Sequence, residues 1–129
     1  MADLLDTMKV SASGMQAQST RLRHVSENIA NADTPGFRRK LTSFEEARDP
    51  DGIALVRNSA VQLDQSKLER IYDPAHPLAD GSGHYDGSNV NLLVEVADAR
   101  EAQRSYEANL KMFDQARQMT ASLFELLRK

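Results

Sequence analysis

Apolar residues recur every three or four positions along the last third of the chain, at Leu92, Val96, Ala99, Tyr106, Leu110 and Phe113, and neither proline nor glycine interrupts Asn89 to Lys129. That spacing predicts one long helix over residues 88–129. Past Phe113 the stripe drifts to Ala116, Met119, Leu123, Leu126 and Leu127, because the turn of a straight helix does not divide a heptad. Ser88 or Asn89 can supply the N-cap oxygen, Glu107 and Lys111 stand as an i,i+4 pair, and Arg128 and Lys129 suit the C-terminal end of the dipole. Such a rod spans about 60 Å at ~1.5 Å per residue. Covering it takes an equally long partner helix or neighbouring molecules.

The opening of the chain offers the partner. Leu4, Met8, Ser11, Met15, Gln18, Leu22, Val25 and Ile29 alternate in steps of four and three, a heptad seam that is polar at two positions. It predicts a helix from Ala2 to about Asn31, within a unit of residues 1–33. The stretch Val10 to Thr20 carries no charge at all and is rich in Ser, Gln, Ala and Met. A solvated helix face ordinarily carries charge pairs, so small uncharged residues all round imply protein on several sides; the plainer alternative is a weakly polar surface helix. Gly14 costs about 1 kcal/mol against alanine in a helix and permits close approach of a second one.

Polar punctuation ends this first helix. In Asn31-Ala32-Asp33-Thr34-Pro35-Gly36-Phe37, proline forbids continuation, Asn and Asp tolerate capping conformations, and Pro35-Gly36 is a favoured centre for a type II turn. Residues 34–87 hold most of the prolines and glycines. Strands are expected from Ile53 to Arg57, extending through Val61 and Leu63, and from Lys67 to Tyr72, with Asp64-Gln65-Ser66 as the hairpin turn between them. Arg48 to Gly52 and Asp80 to Gly83 have solvated-loop compositions. The expected fold is therefore mainly α with a small β element. Residues 1–33 and 88–129 form one discontinuous antiparallel helical hairpin around a turn-rich middle.

Composition narrows the function more than the fold. Only 5% of the 129 residues are aromatic and none is tryptophan, so the core is aliphatic and thin. The net charge of −3 is spread evenly, and no segment has the basic excess that nucleic-acid backbones demand. Without cysteine there is neither disulfide nor thiol chemistry. Met1 to Val10 places two aspartates before its first lysine and has no long apolar run, so neither a cleaved signal nor membrane insertion is expected. That reading retains the chain in the cytoplasm unless a dedicated secretion machine accepts it uncleaved.

The search for chemistry returns one weak cluster. Phosphate-binding, nucleophile-elbow, zincin and EF-hand motifs are all missing. Asp73, His76, Asp80 and His84 offer four potential ligands in one loop, but Pro74, Pro77 and the nearby glycines favour local turn bonding over a metal. His24, on the first helix beside Arg23 and Glu27, reads as a surface histidine. No catalytic residue, cofactor or metal ligand is assigned.

Ser26 to Arg38, with Asn28, Ala30, Asn31, Thr34, Pro35, Gly36 and Phe37, resembles the N-terminal motif shared by bacterial flagellar rod and hook proteins. Ser88 to Leu92, with Asn89 and Val90, followed by Glu101 to Asn109, with Arg104, Ser105, Tyr106 and Asn109, resembles their C-terminal helix motif. Within that family, Tyr72 to Asp80 with Gly83 is similar to a segment of the short proximal-rod members, carried by Asp73, Pro74, His76, Pro77 and Asp80. The resemblance implies a non-enzymatic subunit of the basal body, in the periplasmic rod that transmits torque and encloses the export channel. It implies export by the flagellar type III apparatus without a cleaved signal, and as partners the rod proteins FlgB, FlgF and FlgG, the rod-base protein FliE and further copies of itself. The residues expected to pack helices and subunits are Leu4, Met8, Met15, Leu22, Val25 and Ile29 against Val96, Tyr106, Leu110, Phe113 and Leu123. Two readings from other classes stand beside it: a cytoplasmic helical-hairpin adaptor, and a metal-dependent hydrolase using the Asp73 to His84 loop.

Overall fold

The structure is a computed structural model that describes residues 2–128. Two helices dominate it, α1 (Ala2–Ala30) and α2 (Leu92–Arg128), with six short strands between them: β1 (Lys40–Leu41), β2 (Phe44–Arg48), β3 (Ala54–Asn58), β4 (Gln62–Leu63), β5 (Arg70–Tyr72) and β6 (His84–Asp86). The helices run antiparallel. Asn28 meets Glu95 at one end, Arg21 meets Asp98 and Glu101, Gly14 lies against Asn109, and Leu4 shares a cleft with Ala116 and Met119 at the other. The fold is thus mainly helical with a small β element, as the periodicities predict.

Both helix ends are set by side chains. At the end of α1, Asn31 Nδ2 donates to the Glu27 carbonyl at 2.8 Å, satisfying an acceptor the helix leaves open. Phe37 N then donates to the Thr34 carbonyl at 3.1 Å across Pro35-Gly36, with Gly36 at φ 75°, the type II geometry that favours glycine there. The N-cap of α2 is Asn91, whose Oδ1 accepts from Leu93 N at 3.0 Å and Val94 N at 3.4 Å. This corrects the expectation of Ser88 or Asn89, which are engaged elsewhere: Ser88 Oγ donates to the Ala32 carbonyl, and Asn89 binds the middle segment. Among the described residues Glu107 and Lys111 form no ion pair. The pairs on α2 are Arg117 with Asp114 and Arg128 with Glu125, exposed and one step closer in sequence, where water leaves such pairings little net gain.

The middle segment pairs otherwise than expected. β1 pairs β4 and β2 pairs β3, both antiparallel, so residues 40–63 make one hairpin whose turn is Asp49 to Ile53. Asp49 Oδ1 accepts from Asp51 N at 3.0 Å and Ile53 N at 2.8 Å, which makes a tight turn of what composition shows only as a solvated loop. The expected hairpin turn at Asp64-Gln65-Ser66 is instead a corner, closed by Ser66 N on Asp64 Oδ1 at 2.8 Å. The strand after it, β5, pairs with β6 rather than with its predecessor. Between the pairs Leu41↔Gln62 and Phe44↔Asn58, two residues face three, a bulge that bends the hairpin.

The bent hairpin folds back along α1. Lys40 N donates to Asn28 Oδ1, Thr42 meets His24, Asn58 Nδ2 donates to the Ala17 carbonyl, Val56 N donates to Ser13 Oγ, and Lys9 pairs with Asp49 and Asp51 at the tip. The uncharged stretch Val10 to Thr20 therefore has α2 on one side and β3 on another. That cover explains only part of its composition, because Val10, Ala12, Gln16 and Ser19 are exposed and uncharged all the same.

Candidate functional site

The seam between the helices is made of small residues. Ser11, Gly14, Ala17 and Val25 of α1 are buried, as are Ala102, Ala116 and Thr120 of α2. A Cβ on Gly14 would lie 2.7–2.8 Å from the side-chain amide of Asn109, so the missing side chain makes the room that amide occupies. Ser11 Oγ is the one buried side-chain polar atom among the described residues without a hydrogen-bond partner.

Few of the large apolar residues with helical spacing enter this seam. Val25 is buried; Leu4, Met8, Met15, Leu22, Tyr106 and Phe113 are partly buried; Ile29, Val96, Leu110 and Leu123 are exposed. Leu92, Leu93, Val94, Met112, Met119, Phe124, Leu126 and Leu127 are exposed too, Leu93 at 80% and Leu127 at 76%. Since Leu4 lies beside Ala116 and Met119, the last turns of α2 run on past the described start of α1. Their leucines continue the seam with nothing from the described chain against them. A bare apolar surface of this extent on a helix marks an interaction face.

The opposite end of the helical pair is closed by a polar clasp. Glu95 is fully buried and accepts from Arg39 Nε at 2.6 Å and from Asn28 Nδ2 at 3.2 Å. Asn28 also holds both Lys40 backbone groups, at 2.8 Å and 3.1 Å. Asn89 accepts from Arg39 N at 2.7 Å and donates to the Asp64 carbonyl at 2.8 Å. Burial alone would lower the Arg39 pKa, but the hydrogen bond and charge of Glu95, with Asp64 adding to them, raise it. The Asp64 carboxyl sits below its usual range, chiefly because Ser66 N donates to it. Here the end of α1, the start of the hairpin and the first turn of α2 are locked in one register.

The remaining motif residues divide by position. Asn28 is buried; Asn31, Phe37, Asn89, Val90, Ser105, Tyr106 and Asn109 are partly buried; Ala30, Thr34, Pro35, Gly36 and Arg104 are exposed. In the middle loop Asp73, Pro74, Pro77 and Asp80 are exposed and His76 is partly buried. Asp80 accepts from Ser82, Arg70 and His84 N, bonds that hold its carboxyl well below the usual carboxylate range. His76 stacks on Tyr85 with ring centres 3.8 Å apart, and Asp73 accepts from Ala75 N. The loop's ionisable side chains are thus engaged in local bonds, and no group of three or more metal-ligating side chains is gathered among the described residues.

His24 corrects the sequence reading. It is only 4% exposed, covered by the hairpin, with Nδ1 2.7 Å from Thr42 Oγ1. Sequence reasoning also passed over Arg39 and Glu95, although an acidic residue in the first turn of α2 was visible as a favourable partner for the helix dipole. Its burial against an arginine far away in sequence was not.

Comparison with known proteins places the chain. The family description Flagella basal body rod protein matches residues 8–38, and Flagellar basal body rod FlgEFG protein C-terminal matches residues 82–126. The chain is 44% identical to the flagellar basal-body rod protein FlgC of Agrobacterium fabrum, over 99% of this chain and 98% of that one. It is 35% identical to the protein of the same name from Aquifex aeolicus, over 97% and 98% of the two chains. With that of Salmonella typhimurium the identity is 30%, over 90% and 92%. The matched regions hold the helical seam and Asn28, Asn89 and Glu95 of the clasp, and on likeness over nearly its whole length the chain belongs to the flagellar basal-body rod protein FlgC family.

Proposed function

We propose that this chain is a structural, non-enzymatic subunit of the flagellar basal-body rod, joined to other rod components through the outer faces of α1 and α2. The observation that carries the reading is the mismatch between seam and surface. Alanines and glycine bring the two helices together, while the leucines and methionines of α2 stay bare along its length and at its overhanging end. A helix whose apolar residues point in several directions is stable in water only when other protein covers it.

The finer assignment is a place in the proximal rod, around the export channel and within the periplasm. The partners are FlgB, FlgF, FlgG, FliE and further copies of the chain, with delivery by the type III apparatus and no cleaved signal. Contacts that repeat without closing build helical assemblies, and a bare end on α2 suits such stacking. No described helix is long and apolar enough to cross a membrane. The helical unit of residues 1–33 and 88–129 supplies the inner packing, and the hairpin and loop of residues 34–87 face outward. The experiment is to delete the gene and image isolated basal bodies. Membrane rings lacking a completed rod are the expected result; normal flagella would overturn the assignment.

A further inference from the structure

The middle segment contains three Asp-Gly steps, Asp51-Gly52, Asp80-Gly81 and Asp86-Gly87. Each carries a latent reaction. The glycine amide nitrogen attacks the carboxyl carbon of the preceding side chain, an approach that the absence of a Cβ on glycine makes easier. A C–N bond forms, the amide hydrogen leaves with the hydroxyl of the protonated carboxyl group as water, and a five-membered succinimide results. Water then opens the ring at either carbonyl, and opening at the former backbone carbonyl leaves the chain running through the side chain, as isoaspartate. By sequence the three steps are alike, and the fold makes them different. We propose that Asp51-Gly52 is the site of isoaspartate formation in the folded chain, and that the other two steps are shielded.

The reaction needs a carboxyl group free to turn and to take up a proton, and an amide free to reach it. Asp86-Gly87 has neither. Asp86 Oδ1 accepts from Arg70 Nη1 at 3.0 Å, and Gly87 is buried, with its N donating to the Glu69 carbonyl at 2.7 Å. At Asp80-Gly81 the surroundings of the glycine are open, but the carboxylate is stapled by four donors. Ser82 Oγ and Arg70 Nη2 each lie at 2.6 Å, Ser82 N at 2.9 Å and His84 N at 3.2 Å. Those bonds fix the group in place and favour its charged form, which does not react.

Asp51 stands at the hairpin tip with its side chain 73% exposed. Among the described residues its carboxylate has one partner, Lys9 Nζ at 3.3 Å, and Lys9 is shared with Asp49. So exposed a contact is readily exchanged for water. Gly52 N donates to the Asp49 carbonyl at 2.9 Å across a single exposed turn, and a Cβ at Gly52 would meet nothing within 4 Å. A bond at a tip opens by fraying, whereas the buried Gly87 opens only with the β5–β6 pairing. The product adds one backbone carbon to the turn that Asp49 closes through Asp51 N and Ile53 N, and sets the carboxylate on a shorter stem beside Lys9. The change falls where the hairpin tip is tied to α1.

The test keeps the full chain in warm neutral buffer for several weeks and maps its peptides by electron-transfer mass spectrometry, which tells isoaspartate from aspartate at equal mass. The expected result is isoaspartate accumulating at Asp51 about tenfold faster than at Asp80 or Asp86, a ratio set by the difference in local opening. In urea strong enough to unfold the chain, the three steps should convert at similar rates. Asp51→Glu keeps a carboxylate facing Lys9 but would need a larger ring, so it should remove most of the isoaspartate formed by the folded chain. Conversion led by Asp80 or Asp86 in the folded chain, Asp51 converting no faster than they do, the same ranking persisting in urea, or an unchanged total in Asp51→Glu would each overturn the assignment.

Discussion

The two ends of the helical pair are built from opposite materials. At one end Asn28, Arg39, Asn89 and Glu95 form a buried network, tied to three parts of the chain. At the other, Leu123, Phe124, Leu126 and Leu127 stand in water on a helix of 37 residues whose partner has 29. A polar network is directional and tolerates one arrangement, so it sets register within the chain. Apolar surface is non-directional and gains from whatever excludes water, so it suits contacts that other molecules complete. Specificity is concentrated where the chain meets itself, and stickiness where it ends.

Removing Glu95 should sharpen that contrast most. Glu95→Ala leaves the Arg39 guanidinium partly buried without its principal counter-charge, an expected loss of about 3–5 kcal/mol. Denaturant unfolding of the monomer checks it, and an effect under 1 kcal/mol would mean the clasp is not what holds the closed end. Next comes the seam. Gly14→Val pushes against the Asn109 amide and adds a β-branched residue to a helix, costing about 1–3 kcal/mol. Asn109→Ala in the same chain should restore part of it, and additive losses in the double-mutant cycle would show that the two do not meet.

A gradient in local stability is the third expectation. Amide protection in the isolated chain should be highest near Val25 and Asn28 and across from them near Glu95, and lowest near Leu4 and beyond Leu123, because a helix covered on one stripe opens readily. Even protection along α1 would erase the proposed difference between the ends. The smallest effect on the monomer belongs to the bare leucines. Leu127→Ser should change unfolding by no more than about 0.5 kcal/mol, yet impair motility and rod assembly in the cell. Unimpaired assembly would count against the overhang as a contact.

Much of this architecture is legible in local chemistry. The stop at Thr34-Pro35-Gly36-Phe37 needs no distant partner, since proline lacks an amide hydrogen and glycine accepts φ 75°. The meaning of Val10 to Thr20 is legible only in part: α2 and β3 cover two sides of it, while Val10, Ala12, Gln16 and Ser19 are exposed although uncharged. Strand pairing is not. β1 and β4 are two residues each and joined across the whole hairpin, too short for alternation to show, and β6 was hidden in a loop composition. The N-cap moved to Asn91 because the amide of Asn89 had a better use on Asp64 and Arg39.

The sequence by itself determined that there are two long helices, where the first one stops, that the middle turns often, and that the ends carry the motifs of a rod protein. These depend on spacing and on the backbone preferences of single residues. Only the tertiary structure decided which stripe of each helix becomes the seam. Apolar residues on α2 point in several directions, and periodicity reports that a face is apolar without saying which face another helix will choose. The choice fell on the small residues Gly14, Ala17, Ala102 and Ala116, and it left the leucines of α2 exposed. The same packing buried His24 and Glu95. Their partners, Thr42 and Arg39, reach them only through the fold, because burial and pairing are properties of three-dimensional neighbours rather than of neighbours along the chain.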